Sequence, residues 1–391
     1  MSEQAEERKA AAPALWLIFA IFLKLGVTAF GGPAMIAYIR TTIVERREWL
    51  TESVFSEGVA LCQIIPGATA MQTAAYSGLC LRGAPGAAAS FLGFGAPAFI
   101  FMMVLSALYS KAEKLPFAVA AFGGLQAMVV SIVAVAALSF GKSYIKNLRG
   151  AAMAVCSALL FGFGLNPVIV IAFSVLAGLL IMPGKKADAS CAQVRTAPNL
   201  RAVILMIAAA GAAFVFLYFF DRRLFRLAAL MSRIDLTAFG GGFSSLPMMF
   251  NEVVQARHWL SADAFMNGLA LGQVTPGPIV ITATFIGYRL YGAIGGAVAT
   301  IAVFLPSFLL VIAATPYMDR LRCSLRFNKA IEGVLCSFVG LLLSVTVNFG
   351  LRVHWDAPRV LLAVATFIPL YFNVGVFWVV LAGGAVSLLL L

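Results

Sequence analysis

Charge is what this chain has least of. Only 11% of its 391 residues are Asp, Glu, Lys or Arg, against about 25% in a soluble domain, so water is not the solvent for most of its surface. Polar stretches are short as well: the longest inside the chain, Gly184 to Arg201, has the length of a linker, and no sizeable soluble domain fits. Histidine occurs twice, at His258 and His354, and the six cysteines show no CxxC spacing. A metal cluster therefore lacks its ligands, and buried free thiols are the default state of the cysteines. There is no HExxH motif, no paired acid motif and no histidine beside a suitable nucleophile, so intramembrane hydrolysis lacks its base or metal-held water. The expectation is a non-enzyme without catalytic residues, cofactor or metal.

What is present is apolar. Hydrophobic residues make up 62% of the chain, and runs of 18 or more recur from end to end, the length a bilayer demands of a spanning helix. The charged segment 1–14 leads into the first run without a small-residue cleavage site, which reads as a first membrane helix and not a removable signal. The net charge of +12 is spread over helix ends and short loops, so membrane topology accounts for it and nucleic acid is not an expected partner. The fold class is all-α and polytopic, embedded in lipid.

The chain repeats itself. Lys24-Leu-Gly-Val-Thr-Ala-Phe-Gly-Gly-Pro33 returns as Arg233-Ile-Asp-Leu-Thr-Ala-Phe-Gly-Gly-Gly242, Arg47, Trp49 and Leu50 as Arg257, Trp259 and Leu260, Gln63-Ile-Ile-Pro-Gly67 as Gln273-Val-Thr-Pro-Gly277, and Gly83, Gly86 and Pro97 as Gly292, Gly295 and Pro306. Four blocks in one order, offset by 209 or 210, are a duplication. The halves run over 15–182 and 224–391, with 183–223 as a linker holding one extra apolar helix, 202–220. Candidate spans are 15–38, 54–77, 85–110, 117–141, 150–164 and 167–182 in the first half, and 225–249, 264–287, 293–318, 328–350, 359–371 and 373–391 in the second. The total is 12 or 13, the short last pair of each half being open to a re-entrant reading. Six spans, one extra span and six more leave the second half upside down, the inverted-repeat plan of many secondary transporters, with the substrate site at the repeat interface. With a cytoplasmic N-terminus, 15 Lys and Arg fall inside and 11 outside, a modest bias in favour of that orientation. It places Arg47 outside and Arg257 inside, both candidates for gating.

The chemistry sits at the repeated breaks. Paired glycines, followed by Pro33 in the first copy, interrupt an apolar helix and free backbone N–H groups at membrane depth. The positive end of a half-helix beginning there is an anion site. Thr28, Gly31 and Gly32, with Thr237, Gly240 and Gly241, are the candidates; close packing through small residues is the competing reading. Four residues before each threonine stands a base, Lys24 or Arg233, costing roughly 2.5–3.5 kcal/mol to insert. A dianion about 4 Å from one of them gains roughly 8 kcal/mol at an effective dielectric of 20; snorkelling is the alternative. Gln63, Pro66 and Gly67, with Gln273, Thr275, Pro276 and Gly277, form a second pair of breaks with an amide donor beside them. Buried acids are few; Glu57 and Glu332 are candidates for proton coupling, though a structural role suits both better.

These blocks resemble the chromate ion transporter family in its long, two-half form. The resemblance rests on Phe30-Gly-Gly-Pro33, Arg47-Glu-Trp-Leu50, Gln63-Ile-Ile-Pro-Gly67, Phe239-Gly-Gly241 and Gln273-Val-Thr-Pro-Gly-Pro278. Gly242 and Ala68 depart from it, each standing where a proline is expected, so the halves are not equivalent. The resemblance implies chromate efflux and resistance at the inner (plasma) membrane, with sulfate as competitor or counter-substrate. The residues themselves say only oxyanion, and leave open an importer of sulfate or a passive anion channel. Export of a dianion from a negative interior releases roughly 4.6 kcal/mol per 100 mV and needs no proton relay. Oligomeric state is left open, a homo-oligomer included.

Overall fold

A computed structural model describes residues 13–30, 32–113, 115–183, 200–317, 324–372 and 374–390. They are helical throughout, without a strand among them. The duplication is legible element by element. Helix α1 (Leu15–Thr28) corresponds to α9 (Arg222–Thr237). Helix α2 (Gly32–Arg40), continued by a π-helical stretch Thr41–Arg46, corresponds to α10 (Ser245–Met249), continued by Phe250–Ala256. The later pairs are α3 (Glu52–Ile64) with α11 (Ala262–Val274), α4 (Thr69–Ala112) with α12 (Thr282–Ala314), and α5 (Pro116–Tyr144) with α13 (Leu325–Arg352). Last come α6 (Leu148–Gly162) with α14 (Ala357–Tyr371) and α7 (Pro167–Ile181) with α15 (Val376–Leu390). Helix α8 (Leu200–Phe220) has no counterpart.

Repetition extends to the backbone. Arg82 and Gly83 leave helical geometry at φ −145° and 62°, and Tyr291 and Gly292 do so at −140° and 63°. A positive φ with ψ of −152° at the second position suits only glycine. The chain turns sharply there: Gly78 abuts Gly86, and Gly287 abuts Gly295, with no room for a Cβ between them. Thr51 caps α3 through Val54 N–H and Ser261 caps α11 through Ala264 N–H, the expected role of a hydroxyl at a helix start.

The expected breaks are there, but the chain folds back at them instead of continuing. Gly58 of α3 lies on the Tyr76 ring and Gly268 of α11 on the Phe285 ring, so α3 and the first arm of α4 (69–81) form an antiparallel hairpin, as do α11 and the start of α12. Arg233, before the break at 238–242, ion-pairs with Glu252, ten residues beyond it. At 1.5 Å per residue, a helix carrying straight on would hold them more than about 20 Å apart, so 242–256 returns alongside α9. The segments 15–38, 54–77, 225–249 and 264–287 are thus paired half-length pieces. Five helices among the described residues are long and apolar enough to cross a membrane by themselves: α4, α5, α8, the α12 stretch and α13.

The second arms of α4 and α12 show how the halves relate. Phe91 packs edge-on to Phe304 and tilted against Phe308 (ring centroids 6.4 and 4.9 Å), Met103 meets Gly296, and Glu113 pairs with Arg289 at 3.0 Å. Numbers rise on one helix as they fall on the other. Two equivalent helices packed antiparallel are related by a two-fold axis across them, which makes the second half inverted. The hairpins are also exchanged: α6 and α7 pack on α13, and α14 and α15 on α5. Small residues permit this, Gly333 against Gly178 and Gly340 against Ala154. Folding back alters the face of Arg47, which returns to the side from which α1 starts, together with Lys146 after α5; Arg257 lies opposite. Single cysteines at Arg47 and Lys146 should therefore react with an impermeant thiol reagent from one side, and a cysteine at Arg257 from the other. Reaction of the first two from opposite sides would contradict the fold-back.

Candidate functional site

The four break points meet at mid-depth. Gly67 N–H donates to Ala238 C=O (2.8 Å), and Gly277 N–H donates to Ala29 C=O (3.0 Å). Each hairpin tip is thereby tied to the end of the other half's first helix, a reciprocal pair that obeys the two-fold. Gly67 and Gly277 hold φ of 122° and 105°, and Gly240 and Gly241 hold 88° and 102°, a region that side-chain-bearing residues avoid.

Around these tips lies a cavity of about 270 Å³. Its walls are Met35 and Ile36 in the first turns of α2, Gln63, Ala68, Thr69 and Ala70 at the first tip, Gly240 to Phe243, Gly272, Gln273, Thr275 and Gly277 to Ile279 at the second, and Phe140, Ser143 and Tyr144 of α5. Four helical segments begin here, at Gly32, Thr69, Gly242 and Ile279, and no side chain caps the last three. Each helix N-terminus is worth roughly half a positive charge, so four converging ones offer about two, a match for a dianion. None of the lining side chains is charged. Gln273 Nε2 is a buried donor without a partner.

Of the residues singled out in the sequence, Gln63, Gly240, Gly241, Gln273, Thr275 and Gly277 line this cavity. Pro66 is beside it, its carbonyl taken by Gln72 Nε2 at 2.6 Å. Gly67 spends its N–H on Ala238, and Gly32 starts α2; Pro276 lies at the second tip; Gly31 falls outside the described residues. Thr28 and Thr237 are not in the wall: each hydroxyl donates back to the carbonyl four residues earlier, of Lys24 or Arg233 (3.0 and 2.9 Å). Lys24 and Arg233 are not in it either. Lys24 is exposed on α1, and Arg233 pairs with Glu252. Arg47 stacks on Trp49 (5.8 Å). Glu57 accepts from Ser53 (3.2 Å), away from the cavity. Glu332 lines an adjoining recess of about 230 Å³ that shares Ser143 and Tyr144 with the main one.

Two clusters escaped the sequence reading. Glu252 is 3% exposed and takes Arg233 and Arg257 on its two oxygens, with Asn166 Nδ2 at 3.4 Å from the α6–α7 connection; Arg257 also stacks on Trp259. The matching position in the first half is Thr42, which leaves Lys24 without an acid among the described residues. The second cluster is Asp235, 1% exposed, whose carboxylate accepts Ser307 N–H (2.8 Å) and Oγ–H (2.7 Å). Ser307 Oγ in turn accepts Ala68 N–H at 3.3 Å. A pairwise signal was available: Arg233 and Arg257 flank the only acid between them other than Asp235.

The comparisons agree with this architecture. The sequence model of the Chromate transporter family matches twice, over residues 16–179 and 225–388. The chain belongs to the chromate transporter family. An uncharacterized transporter of Methanocaldococcus jannaschii is 41% identical over 97% of this chain and 95% of its own. Chromate transport proteins of Pseudomonas aeruginosa and Cupriavidus metallidurans are 29% and 28% identical, over 90% and 88% of this chain and 84% and 85% of theirs. No solved structure matches. The protein is thus a multi-pass membrane transporter built from two family repeats.

Two substitutions probe the site. Gly241→Val places a β-branched residue at φ 102° and a side chain toward Thr69 across the cavity wall. It should cost roughly 1–2 kcal/mol of local strain and lower oxyanion affinity at least tenfold in a binding assay. Glu252→Gln should lower the thermal midpoint by the equivalent of roughly 1–3 kcal/mol, less than for a fully buried pair because both guanidiniums are over a third exposed; an unchanged midpoint would show that the three groups are not coupled.

Proposed function

We propose that this chain carries chromate out of the cell across the inner membrane, with the oxyanion bound in the cavity between the two hairpin tips. The observation that carries the reading is the convergence of four helical N-termini and an unpartnered glutamine amide on one uncharged pocket. Such a pocket favours a compact, doubly charged acceptor: it supplies donors and about two units of partial positive charge, and no fixed cation that would trap the anion. The names of the relatives supply chromate; sulfate, another tetrahedral dianion, fits the same donors and is the expected competitor. Gln63, Thr69 and Gln273 are the proposed side-chain ligands, with the backbone at Gly241; the Thr275 hydroxyl is given to Gly272 C=O (2.8 Å) and the Gly277 N–H to Ala29 C=O, so both shape the wall without donating to the anion.

Lys24 and Arg233 take a different part in this reading from the one their sequence suggests. Each stands on the half-helix that leads to the cavity, outside its wall, one on either approach. We place them as attraction points for the anion on its way in and out. Efflux direction follows from the membrane potential, which favours a dianion leaving a negative interior by roughly 4.6 kcal/mol per 100 mV. A cytoplasmic N-terminus accords with the excess of basic residues on that side.

Flux into and out of proteoliposomes under an imposed potential tests the proposal. Gln273→Leu should weaken apparent chromate affinity about tenfold or more, since it removes a donor that faces the ligand, while Lys24→Gln changes mainly the rate at low chromate and its salt dependence. Equal losses from both, or a wild-type flux indifferent to counter-anion and non-saturable, would favour the channel reading.

A further inference from the structure

Asp235 is the one acid in the described residues that is almost fully buried without a base beside it. Both its oxygens face Ser307, and its neighbour in sequence, Arg233, is turned to Glu252. The charged and titratable groups on the elements packed against α9 are Arg289, Tyr288 and Tyr291 of α12, Arg201 and Tyr218 of α8, and Glu252 beyond α10. Arg289 is paired with Glu113, and Glu252 with Arg233 and Arg257. None of the described bases forms an ion pair with Asp235. A carboxylate so placed changes the charge of the transporter's centre by one unit whenever it gains or loses a proton.

The position is tied to the cavity by one hydroxyl. Asp235 accepts from Ser307, Ser307 accepts from Ala68 N–H, and Ala68 is in the cavity wall. The two-fold-related positions show what the cluster replaces. By the repeat offset Asp235 matches Gly26, Ser307 matches Ala98, and Ala68 matches Pro278. Asp235 and Ser307 of the second half meet the N–H of Ala68 in the first, and the two-fold-related positions hold a glycine, an alanine and a proline, which has no N–H to give. Ala68, which looks in the sequence like a lost proline, is what allows the bond to Ser307. The three residues make sense only together.

We propose that Asp235 is a proton-binding site coupled to the oxyanion, taking up one proton as the cavity loads. Resting on the carrier reading above, the step is simple in its balance: an O–H bond forms on Asp235 with a proton from the water of the loading side, and it breaks when anion and proton leave to the opposite side. Like charges joined through the Ser307 hydroxyl and the Ala68 backbone repel in a low-dielectric interior, so a dianion and an ionised Asp235 disfavour each other, and loading and protonation are linked.

The test measures chromate binding and chromate flux by purified protein in proteoliposomes with a pH-reporting dye, comparing wild type, Asp235→Asn and Asp235→Glu at the same pH values, so that the anion's own protonation cancels. Wild type should take up one proton per chromate bound beyond that seen in Asp235→Asn. Its apparent affinity should tighten by up to about tenfold per unit fall in pH, the limit for one proton. Asp235→Asn should bind chromate with that pH dependence removed, and Asp235→Glu should restore it. A residue that only held Ser307 in place would lower affinity or rate in the Asn variant and leave the slope with pH unchanged, which would overturn the proposal. If the Asn variant does not fold, the wild type decides: chromate flux with no accompanying proton beyond the anion's own overturns it. No chromate flux at all in wild type would instead remove the carrier reading on which it rests.

Discussion

Two hydrogen bonds hold this architecture at its centre, Gly67 N–H to Ala238 C=O and Gly277 N–H to Ala29 C=O. Each crosses from one half to the other, and each uses a backbone group that a broken helix would otherwise leave unpaired in a region without water. That constraint explains why the breaks occur in matched pairs. A single interrupted helix at membrane depth exposes polar backbone with no partner; two, related by a two-fold, satisfy each other. The glycines follow from it, since a φ above 100° at Gly67 and Gly277 is what turns the N–H toward the partner chain. The cavity follows too, because tips held together by their first N–H groups leave the next turn of each half-helix pointing into the space between them.

The same constraint accounts for a central cavity without a cation in its wall. A lysine or arginine inside the wall would gain strongly from a dianion and release it slowly, whereas carriers need release as much as binding. Partial charges from four helix ends are fixed in place by the backbone and need no reorganisation when the ligand arrives. The fixed charges lie instead along the approaches, Lys24 on one side and Arg233 with Arg257 and Glu252 on the other. This asymmetry separates the halves: the second carries the ion-pair cluster and Asp235, the first a bare lysine and Gly26. A duplicated protein of this kind keeps the symmetry where the backbone requires it and abandons it in the side chains.

Much of this was legible in the residues. The repeated Phe-Gly-Gly and Pro-Gly blocks located both pairs of breaks, and Gln63, Gln273, Thr275 and the Gly240–Gly241 pair are in the cavity as their spacing suggested. Hydropathy could not tell a half-helix that returns from one that continues, because 15–38 and 54–77 carry the apolar length of a span in either case. Inversion survived because the segments are folded back two at a time, which leaves parity unchanged. Lys24 and Arg233 lie outside the cavity wall for a related reason. Equivalence of Lys24 and Arg233 under the repeat is a statement about sequence, and the direction of a side chain around a helix depends on how α1 and α9 pack on α4 and α12. The Ala68–Ser307–Asp235 chain was out of reach, as Ala68 and Ser307 lie 239 positions apart, whereas Glu252 stands only 19 and 5 positions from its two arginines.

The account stands on the oxyanion occupying the cavity between the tips. A cryo-electron microscopy structure of the protein in lipid at saturating chromate measures that directly. The account predicts density for the anion within hydrogen-bonding distance of the backbone at Thr69 and Ile279 and of the Gln273 amide. Density held instead by Lys24 or by Arg233 and Arg257, with the cavity between the tips filled by side chains, would contradict it.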